Sequence, residues 1–293
     1  MRTPLLVIAL VPAVCAAQPL DDALAKISFS LRSGGTLATE ADIDGGGTVS
    51  IARLGPTLSA RYAQSQSWFV DVGVGAEFSF YDFTEATGVV AGGDPAGDFA
   101  EYFVNARYTG QVNDDWWWYG GVEASWAGED SENLGDGFIG RGELGAIYTV
   151  NKNLRLGVVV VVRSQIEDDV IAYPLPILHW QIDDRWLLAT GHDGLRLSYE
   201  AWEDWTLFAS LDWETREYRL SDTGPIPDGV MRDDRIPVVF GARWQPGEHF
   251  EIEATVGAMA WSQYDFLDST GTTIADPTGD ASLMAGLSAR VRF

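Results

Sequence analysis

From position 68 the chain places Trp68, Val70, Val72, Val74, Ala76, Phe78 and Phe80 on every second residue, with Asp71, Gly73, Gly75, Glu77 and Ser79 between them. Successive side chains of a strand point to opposite faces, so this is a strand with one apolar and one polar side. The same period recurs along the chain. Ile27, Phe29 and Leu31 oppose Ser28, Ser30 and Arg32, and Leu58, Ala60 and Tyr62 oppose Ser59 and Arg61. Within the 47–62 stretch Pro56 predicts a kink or bulge. Tyr102, Val104, Ala106 and Tyr108 face away from Asn105, Arg107 and Thr109. Trp118, Val122, Ala124 and Trp126 alternate with Glu123 and Ser125, and Leu144, Ala146 and Tyr148 with Glu143 and Thr149. Leu156, Val158, Val160 and Val162 alternate with Arg155, Val159, Val161 and Arg163. Shorter segments follow at 175–182, 186–190 and 194–201, then Trp205 to Trp213, Val238 to Trp244, Phe250 to Ala258 and a strand from Ser282 to the end. No helical period of useful length competes with them. The count is fourteen strands, or twelve if the short pair flanking Gly191 is set aside.

The connections sort into two kinds. Ser65-Gln66-Ser67, Asn113-Asp114-Asp115, Asn151-Lys152-Asn153, Asp183-Asp184-Arg185, Glu203-Asp204 and Pro246-Gly247-Glu248 are hairpin turns. Long connections are expected near 33–46, 84–98, 128–136, 164–174, 219–233 and 265–280, with a short one at 191–194. Counted from the C-terminus, every short connection falls on one side and the N-terminus returns to it, which requires an even number of strands. Segments of about ten residues with this period, short turns at one end and long loops at the other predict an all-β fold: a single antiparallel up-and-down transmembrane β-barrel of about 14 strands. Aromatics test the assignment. Trp68, Trp116, Trp186, Trp205 and Phe250 stand close after short turns, while Tyr81, Phe83, Tyr102, Phe138, Tyr173, Tyr218 and Tyr264 border long loops. Two aromatic belts around an apolar band suit the two faces of a bilayer, so lipid is the expected surroundings. A soluble sandwich explains neither the two belts nor the turn-loop asymmetry.

The last strand carries a resemblance. Leu283, Ala285, Leu287, Ala289, Val291 and Phe293 share one face, and Ser282, Met284, Gly286, Ser288, Arg290 and Arg292 the other. An apolar face ending in an aromatic last residue resembles the C-terminal assembly signal of bacterial outer-membrane β-barrels. The resemblance implies location in the cell outer membrane, insertion with the barrel-assembly machinery as partner, and Leu287, Ala289, Val291 and Phe293 as the signal. A second set, Tyr173-Pro174-Leu175-Pro176-Ile177, Trp180, Asp184-Arg185-Trp186, Gly191 and Glu217-Tyr218-Arg219, is similar to an uncharacterised family of outer-membrane barrels, over 175–293 above all. His179 departs from the small residue expected there. These motifs imply topology and no activity.

Residues 1–17 read as a secretory leader: Arg2, an apolar run from Leu5 to Val14, then Cys15-Ala16-Ala17. A lipoprotein anchor at Cys15 is the rival, weakened by Pro12 where Leu is wanted. Cleavage after Ala17 leaves residues 18–293 as the barrel domain, without cysteine and so without thiol chemistry. No later window is long and apolar enough for a membrane helix. The formal net charge of −24 repels nucleic acid, which is discounted as a partner.

Function is sought on the inward face. Parity puts there Arg32, Arg61, Arg107, Arg141, Arg155, Arg163, Arg196, Arg216, Arg243, Arg290 and Arg292, with Asp71, Glu77, Glu123, Glu143, Glu200, Asp212, Glu214, Glu251 and Glu253. Arginine's planar fork pairs carboxylates two bonds at a time, so these residues either fill the barrel as a salt-bridge network or line a polar route for small solutes. Eight strands leave an interior that side chains fill and sixteen to eighteen leave a water channel, so fourteen predicts a narrow or occluded lumen. The leading expectation is a narrow porin-like barrel for small polar solutes. The alternative is a closed barrel whose acidic loops, opposed only by Arg219 and Arg232, bind divalent cations, surface lipid or a partner; no loop has the spacing of an EF-hand. A lipid-modifying enzyme would rest on His179 or on His192 beside Asp193, and no Ser stands close to His192 in sequence. No cofactor or metal is called for, and the chain is not read as an enzyme.

Overall fold

The computed structural model describes residues 26–65, 67–90, 93–129, 134–191 and 194–293. The expected leader lies outside these, as do His192 and Asp193.

Among the described residues there are seventeen strands: β1 (Lys26–Asp42), β2 (Thr48–Ser65), β3 (Trp68–Thr84), β4 (Asp98–Gln111), β5 (Trp116–Gly128), β6 (Phe138–Asn151), β7 (Leu154–Gln165), β8 (Asp168–Gln181), β9 (Trp186–Thr190), β10 (Gly194–Trp202), β11 (Trp205–Asp212), β12 (Glu214–Arg219), β13 (Val230–Trp244), β14 (Phe250–Leu267), β15 (Thr273–Ala275), β16 (Thr278–Gly279) and β17 (Ser282–Arg292). β11 and β12 are one stave interrupted at Trp213, since both pair with β13, and β15 and β16 lead into β17. Fourteen antiparallel staves result, closed where β1 pairs with β17 from Ser30↔Arg292 to Ala38↔Met284. At the seam Phe29 and Phe293 exchange backbone hydrogen bonds of 2.8 and 2.9 Å and stack their rings.

The alternation follows from what each face meets. Val72, Val74, Val104, Val122, Leu144, Val158, Val160, Leu211, Phe240, Val256 and Leu283 stand exposed around the outside, a band suited to lipid. Closing the sheet pairs the staves around most of the circumference, so that few N–H and C=O groups are left bare to lipid. At the turn end, rings touch around the circumference: Tyr62, Trp68, Tyr108 and Trp118 in series, then Trp116 with Tyr148, Trp186 with Tyr199, and Trp205, Trp244 and Phe250.

The loop end departs from the sequence reading in two ways. The stretches 33–46 and 164–174 are mostly strand. β1 runs on to Asp42 and leaves only residues 43–47 as a turn, and β7 and β8 join through Ile166 and Glu167 alone. The far ends of these extensions rise beyond the apolar band, where no lipid selects an apolar face and the period of two fades. The aromatic assignment also changes. Tyr81, Phe83, Tyr218 and Tyr264 point inward and are buried, while Tyr102 and Phe138 stay outside. The loop-end belt outside is built instead from Phe78 with Tyr102, Trp126 with Phe138, and Trp213 with Trp261.

The inward rings make a plug. Val49, Ile51, Tyr81, Phe83, Phe99, Tyr218, Met231, Tyr264 and Phe266 meet Ala86, Val90 and Ala96 of the 85–97 loop and Leu220 and Ile226 of the 220–229 loop in one apolar cluster. Ile139, Ile166, Val230 and Leu267 form a smaller one beside it. A bulge between Ile236 and Pro237 against β14 marks where this region bends, since an extra residue kinks a strand. Beyond it β12 leans across the lumen, far enough for Tyr218 to stack on Phe99 at 4.3 Å and for Arg219 to pair with Gly128 of β5.

Candidate functional site: the charged lumen

Below the plug the inner face is a tiered set of ion pairs. In the turn-end half Arg61 and Asp71 lie opposite each other on β2 and β3, and Arg61 donates Nε to Asp71 Oδ1 at 2.7 Å and Nη2 to Oδ2 at 3.0 Å. Arg107, Gly121 and Glu143 form one row across β4, β5 and β6. Arg107 Nε reaches Glu143 Oε1 at 2.7 Å over the glycine, where a Cβ on Gly121 would sit 2.7 Å from that oxygen. Arg196 Nη2 reaches Glu253 Oε2 at 2.8 Å by lying flat on Phe208, 3.4 Å from the ring centre, and Arg243 donates to the same oxygen at 3.0 Å. Phe208 in turn lies flat on Gly241, whose Cβ would meet the ring at 2.2 Å. Glu251 takes Arg292 at 2.8 Å and Arg290 at 3.7 Å. Arg32 stands directly across from Arg290, buried, its Nε and Nη1 without a hydrogen-bond partner.

Halfway up, charges tie opposite walls together. Arg53 of β2 donates Nη2 to Asp233 of β13 at 2.5 Å and Nη1 to Glu214 of β12 at 3.1 Å. Arg235 brackets Asp233 from its own strand, with Nε at 2.6 Å from Oδ1, and the Tyr81 hydroxyl donates to the same carboxylate. Arg216 of β12 grips Glu77 of β3 with Nε at 2.6 Å and Nη2 at 3.2 Å, and donates Nη1 to Glu214 at 2.7 Å. Charges removed from water are tolerated only when paired and hydrogen-bonded this fully.

The remaining residues expected on this face divide. Glu123, Arg141 and Arg163 line a cavity of about 110 Å³ with Glu101, Ser125, Ile139, Tyr173, Trp213 and Thr215. Asp212 accepts from the Ser210 hydroxyl at 2.9 Å. Arg155 lies across from His179 on β8, and Glu200 stands exposed at the turn end, its backbone N–H bonded to Arg185. Sequence reasoning missed Arg53, Glu101, Asp233 and Arg235. Continuing the parity of Leu58 and Ala60 backwards past Pro56 would have put Arg53 inside, because the β2–β3 register holds through the proline. Asp233 closes the 219–233 stretch, whose sequence reads as a loop. Among the described residues no group of three or more His, Cys, Asp or Glu is placed to hold a metal ion.

A family model described as Domain of unknown function (DUF6268) matches residues 100–293, further toward the N-terminus than the 175–293 resemblance. No curated protein matches the sequence. Among solved structures, an outer-membrane channel from Pseudomonas putida F1 is 9% identical with TM-score 0.49, the match covering 96% of this chain and 100% of that one. The Pseudomonas putida toluene transporter TodX is 11% identical with TM-score 0.45, covering 90% and 89%. The NanC porin is 9% identical with TM-score 0.33, covering 89% and 98%.

Proposed function

We propose, for a chain that belongs to the DUF6268 family, a gated channel-like barrel of the outer membrane that admits small polar solutes, its turns toward the periplasm and its loops outward. Exposure along the lumen supports this reading. At the turn end Arg61, Arg107 and Arg292 keep about a third of their side-chain surface accessible; in the cross-lumen layer Glu214 keeps 30% and Arg216 20%, but Arg53, Arg235 and Asp233 keep 2% or less. A wet vestibule therefore leads to an ion-pair layer that is dry around Asp233, with an apolar plug above it. Mixed charge in the vestibule holds a polar solute of either sign weakly, which suits passage better than retention. The gate is the ion-pair layer with the plug, and opening needs both to shift.

Planar-bilayer recording tests this. The full protein is expected to be closed most of the time, with rare discrete steps. Replacing residues 86–96 by a short Gly-Ser linker removes Ala86, Val90 and Ala96 from the plug. Open time should then rise at least about tenfold, because deleting that buried apolar surface shifts the equilibrium by more than roughly 1.4 kcal/mol. Silence from both well-inserted proteins refutes the channel.

A further inference from the structure

Around most of this barrel each stave is hydrogen-bonded to a neighbour on both sides. β8 is different. Its partner on one side is β7 along nearly its whole length, but on the other it meets β9 only from His179 to Gln181. The β9–β10 hairpin turns back at Gly191 and Gly194, partway up the wall. The next stave, β11, passes into β12, which leans inward and, among the described residues, forms no strand pairing with β8. A window results. Its sill is Leu178, whose N–H donates to Thr190 Oγ1 at 3.0 Å. Its lintel is Glu217, which accepts from Gln165 Nε2 and Ile166 N at 3.0 Å each. Its jambs are the 170–177 edge of β8 and residues 212–216.

The sequence agrees with an unpaired edge there. N–H groups of an antiparallel strand alternate between its two neighbours. Leu178 and Ile182 donate toward the β9 side and Gln181 toward the β7 side, so even-numbered residues of β8 face the window. Pro174 and Pro176 are even. Proline has no N–H to give a ladder and is confined to edges. They remove two of the four donors that this edge would otherwise leave bare, and they break the ladder that an added strand would need.

Outside the window are Val162, Val170, Leu211 and Trp213, all exposed, with Val162 and Leu211 continuing the apolar band and Trp213 standing in the loop-end belt beside Trp261. Behind it is the 110 Å³ cavity, between β12 and the inner wall, with Glu101, Glu123, Arg141 and Arg163 among its lining residues and Tyr173 and Thr215 on the two strands that frame the opening. The geometry points to a side entrance: a single-tailed amphiphile in the outer leaflet places a compact hydrogen-bonding head in this cavity while its tail stays in lipid. Two carboxylates and two guanidiniums suit a neutral or zwitterionic head of a few heavy atoms. The inference goes beyond the axial channel and does not depend on it.

Cysteine labelling in vesicles tests it, in a Cys15→Ser background. N-dodecylmaleimide, itself such an amphiphile, partitions into the bilayer and is attacked by a thiolate at its ring double bond. Thr215→Cys and Ser125→Cys sit in the cavity. Ser288→Cys is equally an inner-face position, on β17, whose wall is paired to β1 and β14. The cavity thiols should be labelled at least about tenfold faster than Ser288→Cys by the lipid-borne reagent, since thiol reactivity follows access. A membrane-impermeant maleimide added from water should show no such preference. Equal rates at all three sites, or faster cavity labelling from water, overturn the proposal. Two cavity variants guard against one misfolding, and heat-modifiable gel mobility reports folding of each. A protein labelled this way but silent in bilayers refutes the channel and leaves the side entrance standing.

Discussion

Asp233 is fully buried between Arg53 and Arg235 and also accepts the Tyr81 hydroxyl. Asp233→Asn keeps the shape and removes the charge, leaving Arg53 with Glu214 and taking from Arg235 its paired carboxylate. The loss should be about 3–5 kcal/mol, read from denaturant unfolding of the reconstituted barrel. A much smaller loss would mean that water reaches the layer and that it is no seal. Arg107, Gly121 and Glu143 show the same economy in a wetter setting: the glycine on the intervening strand is what lets the pair meet. Lysine's point charge would not hold such a row with two directed bonds, which accounts for arginine's dominance on this face.

Elements here are longer than their apolar faces. β1 and β8 both continue past the lipid band into stretches whose sequence is polar or glycine-rich, so pairing with neighbours, rather than local pattern, decides their length. That is why 33–46 and 164–174 read as loops, whereas the halves facing lipid were legible to the residue. The 268–272 turn, where the 268–281 connection begins, is organised by one side chain. Asp268 accepts the Thr270 hydroxyl and the backbone N–H groups of Thr270 and Thr272, which keeps its carboxyl below the usual carboxylate range. A lowered folded value means the bonds stabilise the loop above the ordinary pKa and are lost as pH falls through the lowered one. Asp268→Ala should therefore speed proteolysis of this loop at neutral pH and leave barrel unfolding unchanged. At pH low enough to protonate Asp268, wild type and variant should be cut alike.

At the scale of the molecule, strand number, closure and inner-face charge could be read because lipid outside and water inside impose opposite chemistry on alternate residues. The plug could not, since Tyr81, Phe83, Tyr218 and Tyr264 look the same in sequence whether they face lipid or one another. Nor could the cross-lumen ties, whose partners Arg53 and Asp233 are 180 positions apart. The prolines of β8 were visible as a motif, but their meaning needed the missing neighbour. Deleting Phe293 removes a ring stacked on Phe29 and two backbone bonds at the seam, and should lower the yield of heat-modifiable folded protein on refolding into micelles; an unchanged yield would show that closure does not depend on the last residue. That seam also brings the first described strand and the last together as neighbours. A chain joined from Phe293 to the start of the first described strand and cut at the 152–153 turn would keep every described stave in its place.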